Sequence, residues 1–260
     1  MRFGRAIGTL AALIVLAGRA VKKSPPPGTA FYNGPALLRR LTLDQQRIWS
    51  FPRHAARLGT GWKPALGVIG VTAALIALDP LDTPWIQQAG FQQMRASRAL
   101  NRILSGRNTA LAIAAIPLSF CIAGLLRRDP YAAETALLAG EAIAGAEIVS
   151  TFMKDVDRRM RPSEVGPAGD FTATWFRTKN RNWDGFGSFP SGHSASSFAV
   201  ATVFAERYAT VRWAPRVAYG LAGIVALSRL NARAHYPSDV FFGAVLGHAV
   251  SHYVVLRRQP

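Results

Sequence analysis

A chain of 260 residues is long enough for one helical domain and does not require two. Half of it is apolar and 17% is charged, rich for a soluble enzyme and lean for a transporter, so composition leaves both a membrane protein and an exported soluble one open. The net charge of +17 is dispersed between apolar runs, as at Arg127-Arg128 and Arg257-Arg258, and not gathered on one arm or patch. That distribution argues against nucleic acid as a partner and suits the loops that flank membrane helices.

Residues 1–20 open on Met1-Arg2-Phe3-Gly4-Arg5 and an apolar stretch, Ala6 to Gly18, the pattern of a signal peptide or an N-terminal anchor. Its thirteen residues are short for a spanning helix. Residues 21–63, with Pro25-Pro26-Pro27 and then Arg39 and Arg40, read as a linker with a short amphipathic helix. From 64 to 260 the chain reads as one helical domain. Apolar runs at 64–78, 109–126, 131–153, 194–205, 217–228 and 239–256 lack the alternation of strands, so helices are expected. Residues 79–108 read as a polar connecting helix or loop, and 163–189 as a loop carrying Trp175, Phe176, Trp183 and Phe186. The lone Cys121, inside an apolar run, has no cysteine partner for a disulfide and reads as a small buried hydrophobe. Glu134 and Glu141, seven apart, share a helical face; a polar face against another helix or an arginine is expected there, not an acid–base pair.

Three segments at helix ends carry chemistry. In Lys154-Asp-Val-Asp-Arg-Arg-Met-Arg161-Pro162 the two cations, seven apart, would share a face if the preceding helix continues, which suits an oxyanion. In Phe189-Pro190-Ser191-Gly192-His193, Ser191 is suited to cap a helix and Gly192 to admit a ligand close to the backbone. The free amides of that helix start would face a bound anion, with His193 beside it. In Ser228-Arg229-x5-His235-x3-Asp239, Pro237 would open the last helix with Asp239 in its first turn. A carboxylate close to His235 can fix its tautomer and leave the other ring nitrogen nucleophilic.

Together these eleven positions resemble the signature of the type 2 phosphatidic acid phosphatase superfamily, which also holds bacterial acid phosphatases and vanadium haloperoxidases: Lys-x6-Arg-Pro, Pro-Ser-Gly-His and Ser-Arg-x5-His-x3-Asp. The resemblance covers about 130–256. It implies an all-α helical bundle, with transmembrane helices and the active site at one end. It implies a phosphatase of lipid phosphates, acting on phosphatidate, phosphatidylglycerophosphate or a polyprenyl pyrophosphate. In that scheme His235 attacks phosphorus, Asp239 orients its ring, and His193 serves as general acid and then base. Lys154, Arg161 and Arg229, with Ser191 and the Gly192 amide, bind the phosphate. With three cations in place no metal or other cofactor is expected. A haloperoxidase reading would use nearly the same cradle for vanadate, but the chain is small for that class.

Threading the last four helices up and down puts all three motifs on one side and Arg127-Arg128, Arg207, Arg212, Arg216 and Arg257-Arg258 on the other. A cell-membrane protein with its active site facing outside is therefore expected. Parity complicates it: if 6–18 is exported and 64–78 also spans, the site falls inside. The short runs keep an exported soluble acid phosphatase as the alternative. His248 and His252, spaced i, i+4, are expected to pack or sit at an interface rather than hold a metal.

Overall fold

The computed structural model describes residues 34–55, 62–87, 95–104, 106–165, 169–178 and 182–257; the expected signal or anchor at 1–20 lies outside them. Its helices are α1 (Gly34–Ala55), α2 (Lys63–Gln87), α3 (Arg95–Ile103), α4 (Gly106–Arg127), α5 (Pro130–Asp157), α6 (Pro162–Val165), α7 (Gly192–Arg207), α8 (Ala214–Asn231) and α9 (Pro237–Ala249), which runs on as a π-helix over Val250–Leu256. The described residues contain no strand, so the fold is all-α.

Local chemistry sets several boundaries. The Asp129 carboxylate accepts from the Tyr131 and Ala132 amides, both at 3.1 Å, and Pro130 supplies the first turn of α5. That helix stops where Arg158 turns into the left-handed region at φ 44° and its amide returns to the Lys154 carbonyl. Lys154 and Arg161 therefore do not share one continuous helical face as the spacing suggested; the chain reverses between them. The segment after 78 also departs from expectation. Residues 79–87 extend α2 through Pro80 and Pro84, and Asp79 is buried, not part of a polar connection.

The centre of the bundle is α7, buried along most of its length against α5, α8 and α9. Its contact with α9 is backbone to backbone. A Cβ on Gly243 would lie 2.4 Å from the Ser191 carbonyl oxygen, and one on Gly247 would lie 2.0 Å from that of Ala195. Only glycines spaced i, i+4 allow this approach. Away from that seam, Phe120 packs edge-on against Phe204 at 4.6 Å beside Tyr208.

Four segments, Lys63–Gln87, Gly106–Arg127, Pro130–Val165 and Pro237–Leu256, are long and apolar enough to cross a membrane. Their outward faces expose Leu66, Ile69, Leu111, Leu118, Leu125 and Leu126. The helices alternate in direction. The carboxyl ends of α2, α5 and α8 meet the amino ends of α4, α7 and α9 at one end, and Arg127, Arg128, Arg212, Arg216 and Arg257 are exposed toward the other.

Side chains at that second end are structural. Arg207 pairs with Glu134 at 2.8 Å, bonds Thr135 at 3.1 Å and lies over the Tyr131 ring at 3.9 Å. Glu141 is buried within the bundle. His248 contacts the Thr202 and Tyr219 hydroxyls at 3.1 and 3.3 Å and stacks on His252, which pairs with Glu206. Cys121 is half-buried beside the core.

Candidate active site

The end of the bundle where α5, α7, α8 and α9 meet holds the three motif segments, each delivered by a different helix terminus. Ser191 caps α7, its hydroxyl accepting from the Ser194 amide at 3.4 Å. The residue is fully buried, and Ser194 Oγ donates to the same oxygen at 3.0 Å, so this hydroxyl serves the helix turn. Gly192, the first residue of α7, sits where a Cβ would lie 3.0 Å from both Lys154 Nζ and Glu147 Oε2. The close approach expected of that glycine is thus to the Lys154 ammonium itself.

Lys154 is buried near the end of α5. Arg161, past the reversal, comes back close enough for the two cations to repel. Its Nε donates to the Phe186 carbonyl at 3.1 Å and its guanidinium lies 5.2 Å from the Phe186 ring centre. Arg229 is 2% exposed at the end of α8. Nε and Nη2 both donate to Ser228 Oγ, at 3.0 and 2.9 Å, and Nη2 also reaches the Leu104 carbonyl and Thr109. These bonds leave Nη1 without a protein partner among the described residues. Arg161 and Arg229 are thus held by neutral oxygens, while Lys154 has the Glu147 carboxylate beside it; the three cations together suit an anion.

The two histidines are held by main-chain carbonyls. His193 Nε2 lies 2.9 Å from the Gly106 carbonyl oxygen, which can only accept, so Nε2 carries the proton and the lone pair is left on Nδ1. His235 Nδ1 lies 2.7 Å from the Ser188 carbonyl oxygen, so the same logic leaves the lone pair on Nε2. Burial holds the His235 pKa down to about 4 against the favourable pull of Asp239, with Arg161 and Lys154 adding repulsion. Burial likewise depresses His193, with Arg229 and Lys154 opposing its charge and the Gly106 carbonyl and Glu147 supporting it.

Asp239 is the residue for which the geometry departs most from the sequence reading. Its Oδ2 is 3.6 Å from His235 Nδ1, ion-pair range but beyond a hydrogen bond, while the ring proton goes to Ser188. The carboxylate instead accepts from the Ser188 hydroxyl at 2.5 Å, the Tyr236 amide at 2.8 Å and Arg159 Nη1 at 2.6 Å. It clamps the loop that presents the carbonyl, and the loop sets the tautomer. Pro237 opens α9 with Asp239 in the first turn, as the sequence suggested.

Arg159 and Asp79 escaped the sequence reading. Arg159 is 1% exposed, bridges Asp239 and Asp79 at 2.6 Å each, and lies between the rings of Trp175 and Tyr236, 4.5 and 3.8 Å from their centres. An arginine inside a basic run gives no hint of burial. Of the loop aromatics, Trp175 thus packs inward, also against Phe189, while Phe176 and Trp183 are exposed.

A lipid A 1-phosphatase of Porphyromonas gingivalis is 39% identical over 61 residues, 23% of this chain and 14% of that protein. A Schizosaccharomyces pombe protein named as diacylglycerol pyrophosphate phosphatase 1 is 38% identical over 87 residues, 29% of this chain and 31% of its own. A lipid A 4'-phosphatase of Bacteroides thetaiotaomicron is 31% identical over 101 residues, 39% of this chain and 43% of its own. The chain therefore spans less than half the length of each of these relatives. Among solved structures, a transmembrane PAP2 type phosphatidylglycerolphosphate phosphatase from Bacillus subtilis aligns over 84% of this chain and 92% of its own, at 16% identity and a TM-score of 0.43. The sequence profile described as PAP2 superfamily matches residues 135–259 of this chain, the stretch that carries all three motifs.

Proposed function

We propose that this protein is a membrane-embedded phosphatase of lipid phosphates that works through a phosphohistidine on His235. The observation that carries the reading is the pairing of a neutral, carbonyl-held His235 with three cations at one end of the bundle. His235 Nε2 attacks phosphorus in line, while Lys154, Arg161 and Arg229 Nη1 take the equatorial oxygens, where charge spreads in the transition state. The amides at the start of α7, Gly192 first, add donors; Ser191 contributes by capping that turn, not by touching phosphate. Protonated His193 delivers its Nδ1 proton to the leaving oxygen and then takes one from the water that cleaves the phosphohistidine.

A lipid substrate is supported by what adjoins the cradle. An apolar cavity of about 200 Å³ begins at Leu104, whose carbonyl holds Arg229, and runs between α4, α7 and α8 past Ile113, Val200 and Val225 to Tyr208. A hydrocarbon chain laid there would leave its phosphate beside Arg229. The exposed leucines of α2 and α4 and the four span-length helices favour the membrane over the exported soluble alternative. The named relatives act on lipid phosphates and a lipid pyrophosphate, which agrees in class and does not choose among substrates. The basic end opposite the cradle favours an orientation with the site facing outside the cell.

The test is phosphate release by purified protein in EDTA, from a lipid phosphate in detergent and from a soluble phosphomonoester. The expected result is preference for the lipid, insensitivity to EDTA and loss of turnover in His235→Ala. Retained activity in a clean preparation of that variant would remove His235 as nucleophile. Preference for the soluble ester would favour the exported acid phosphatase.

A further inference from the structure

Asp79 lies on α2, more than fifty residues before the segment that matches the family profile, yet it is fully buried against the catalytic end. Its Oδ2 accepts from Arg159 Nη2 at 2.6 Å and from the Ser238 hydroxyl, and its Oδ1 accepts from the Ser238 amide at 3.2 Å. Arg159 Nη1 in turn donates to Ser238 at 2.8 Å and to Asp239 at 2.6 Å. The Arg159 carbonyl accepts from the Ser188 amide at 2.8 Å, and Ser188 is the residue whose carbonyl holds His235. Through its guanidinium Arg159 thus ties α2 to the first turn of α9, and through its carbonyl it holds the loop before α7.

We propose that Asp79 and Arg159 are positioning residues that hold Asp239, and through it His235, so that α2 belongs to the catalytic unit. The inference rests on His235 being the reacting group. Two carboxylates share one cation here, so each controls how much of the Arg159 charge the other feels. Neutralising Asp79 leaves Arg159 less compensated beside the catalytic pair and disfavours a protonated His235. Neutralising Arg159 leaves Asp239 facing His235 uncompensated and favours it. Besides Asp239, Lys154 and Arg161 act on His235, and Asp157 at the end of α5 faces both Arg159 and Asp239; none of these is changed. A residue that only stabilised the fold would not move the titration of His235 in opposite directions according to the sign of the charge removed.

The experiment compares Asp79→Asn, Arg159→Gln and the conservative Arg159→Lys with the full-length protein in detergent. Turnover is followed against pH, and the His235 ring is followed by ¹⁵N-histidine NMR, assigned by its loss in His235→Ala. The expected result is a fall in kcat of about 10- to 100-fold with little change in KM, the usual cost of losing a partner one layer behind a site. The His235 midpoint moves down in Asp79→Asn and up in Arg159→Gln, and Arg159→Lys lies between Arg159→Gln and the wild type. Should one variant fail to fold, the other two still report the sign. A His235 midpoint unchanged in the folded variants, or moved the same way in all, overturns the proposal. An inactive wild-type protein whose His235 still shifts as stated would instead count against the phosphatase reading alone.

Discussion

The contact between α7 and α9 allows the reaction geometry to be perturbed without touching a reacting group. In Gly243→Ala the new methyl carbon would lie 2.4 Å from the Ser191 carbonyl oxygen. A close C···O contact is roughly 3.3 Å, so the helices must part by about 0.9 Å at that point. Ser191 caps the helix that starts the cradle, and its amide donates to the Asp239 carbonyl at 3.0 Å, so the displacement falls between the α7 amides and the His235 loop. A misplacement of about 1 Å can cost on the order of 10²-fold in rate, and forcing a methyl into a tight seam costs about 1–3 kcal/mol of stability. Gly247→Ala, with its methyl 2.0 Å from the Ala195 carbonyl oxygen, lies a turn further from the chemistry and should cost more stability relative to rate. Gly223→Ala is the control, since nothing lies within 4 Å of its Cβ position, and removing a helical glycine should leave stability equal or higher. The assay is kcat for phosphate release per folded molecule, with thermal unfolding in detergent. Wild-type kcat in a folded Gly243→Ala protein would refute the idea that this seam sets the catalytic geometry.

The pH profile follows from the two histidines. Attack needs neutral His235, available above about pH 4, and departure needs protonated His193, whose pKa lies below the ordinary 6.5, so kcat/KM should peak on the acid side and fall as pH rises through neutrality. Because a bound phosphate favours the imidazolium, the alkaline limb of kcat should lie at higher pH than that of kcat/KM; coincident limbs above pH 8 would exclude His193 as the acid. Arg229→Lys keeps the charge but cannot hold Ser228, Leu104 and Thr109 while presenting Nη1, and should lower kcat about 10²–10³-fold, read by steady-state kinetics. Glu134→Gln at the far end should cost about 1–3 kcal/mol in unfolding measurements, by leaving Arg207 poorly paired, with kcat per folded molecule unchanged.

Much of this protein is written locally. The apolar runs specify helices because their spacing has no strand alternation, and Ser191 and Pro237 mark the helix starts that the bundle keeps. The Lys154, Arg161, His193, Arg229, His235 and Asp239 pattern is legible because one chemistry needs those types at those intervals, and its segments do end at a common face. What sequence spacing could not supply was direction after a helix ends. The left-handed turn at Arg158 sends Arg159 inward, so a basic run that reads as a solvated helix end contains the most buried arginine of the site. Asp79 was equally hidden, because a carboxylate followed by Pro80 looks like a helix stop until Arg159 and Ser238, 80 and 159 residues away in sequence, supply its partners. The orientation of His235 was decided by a main-chain carbonyl, a group that every residue carries and no side-chain pattern can advertise. Periodicity and motif determined which residues meet; only packing across Gly243 and Gly247 and the shared charge of Arg159 decided how they are held.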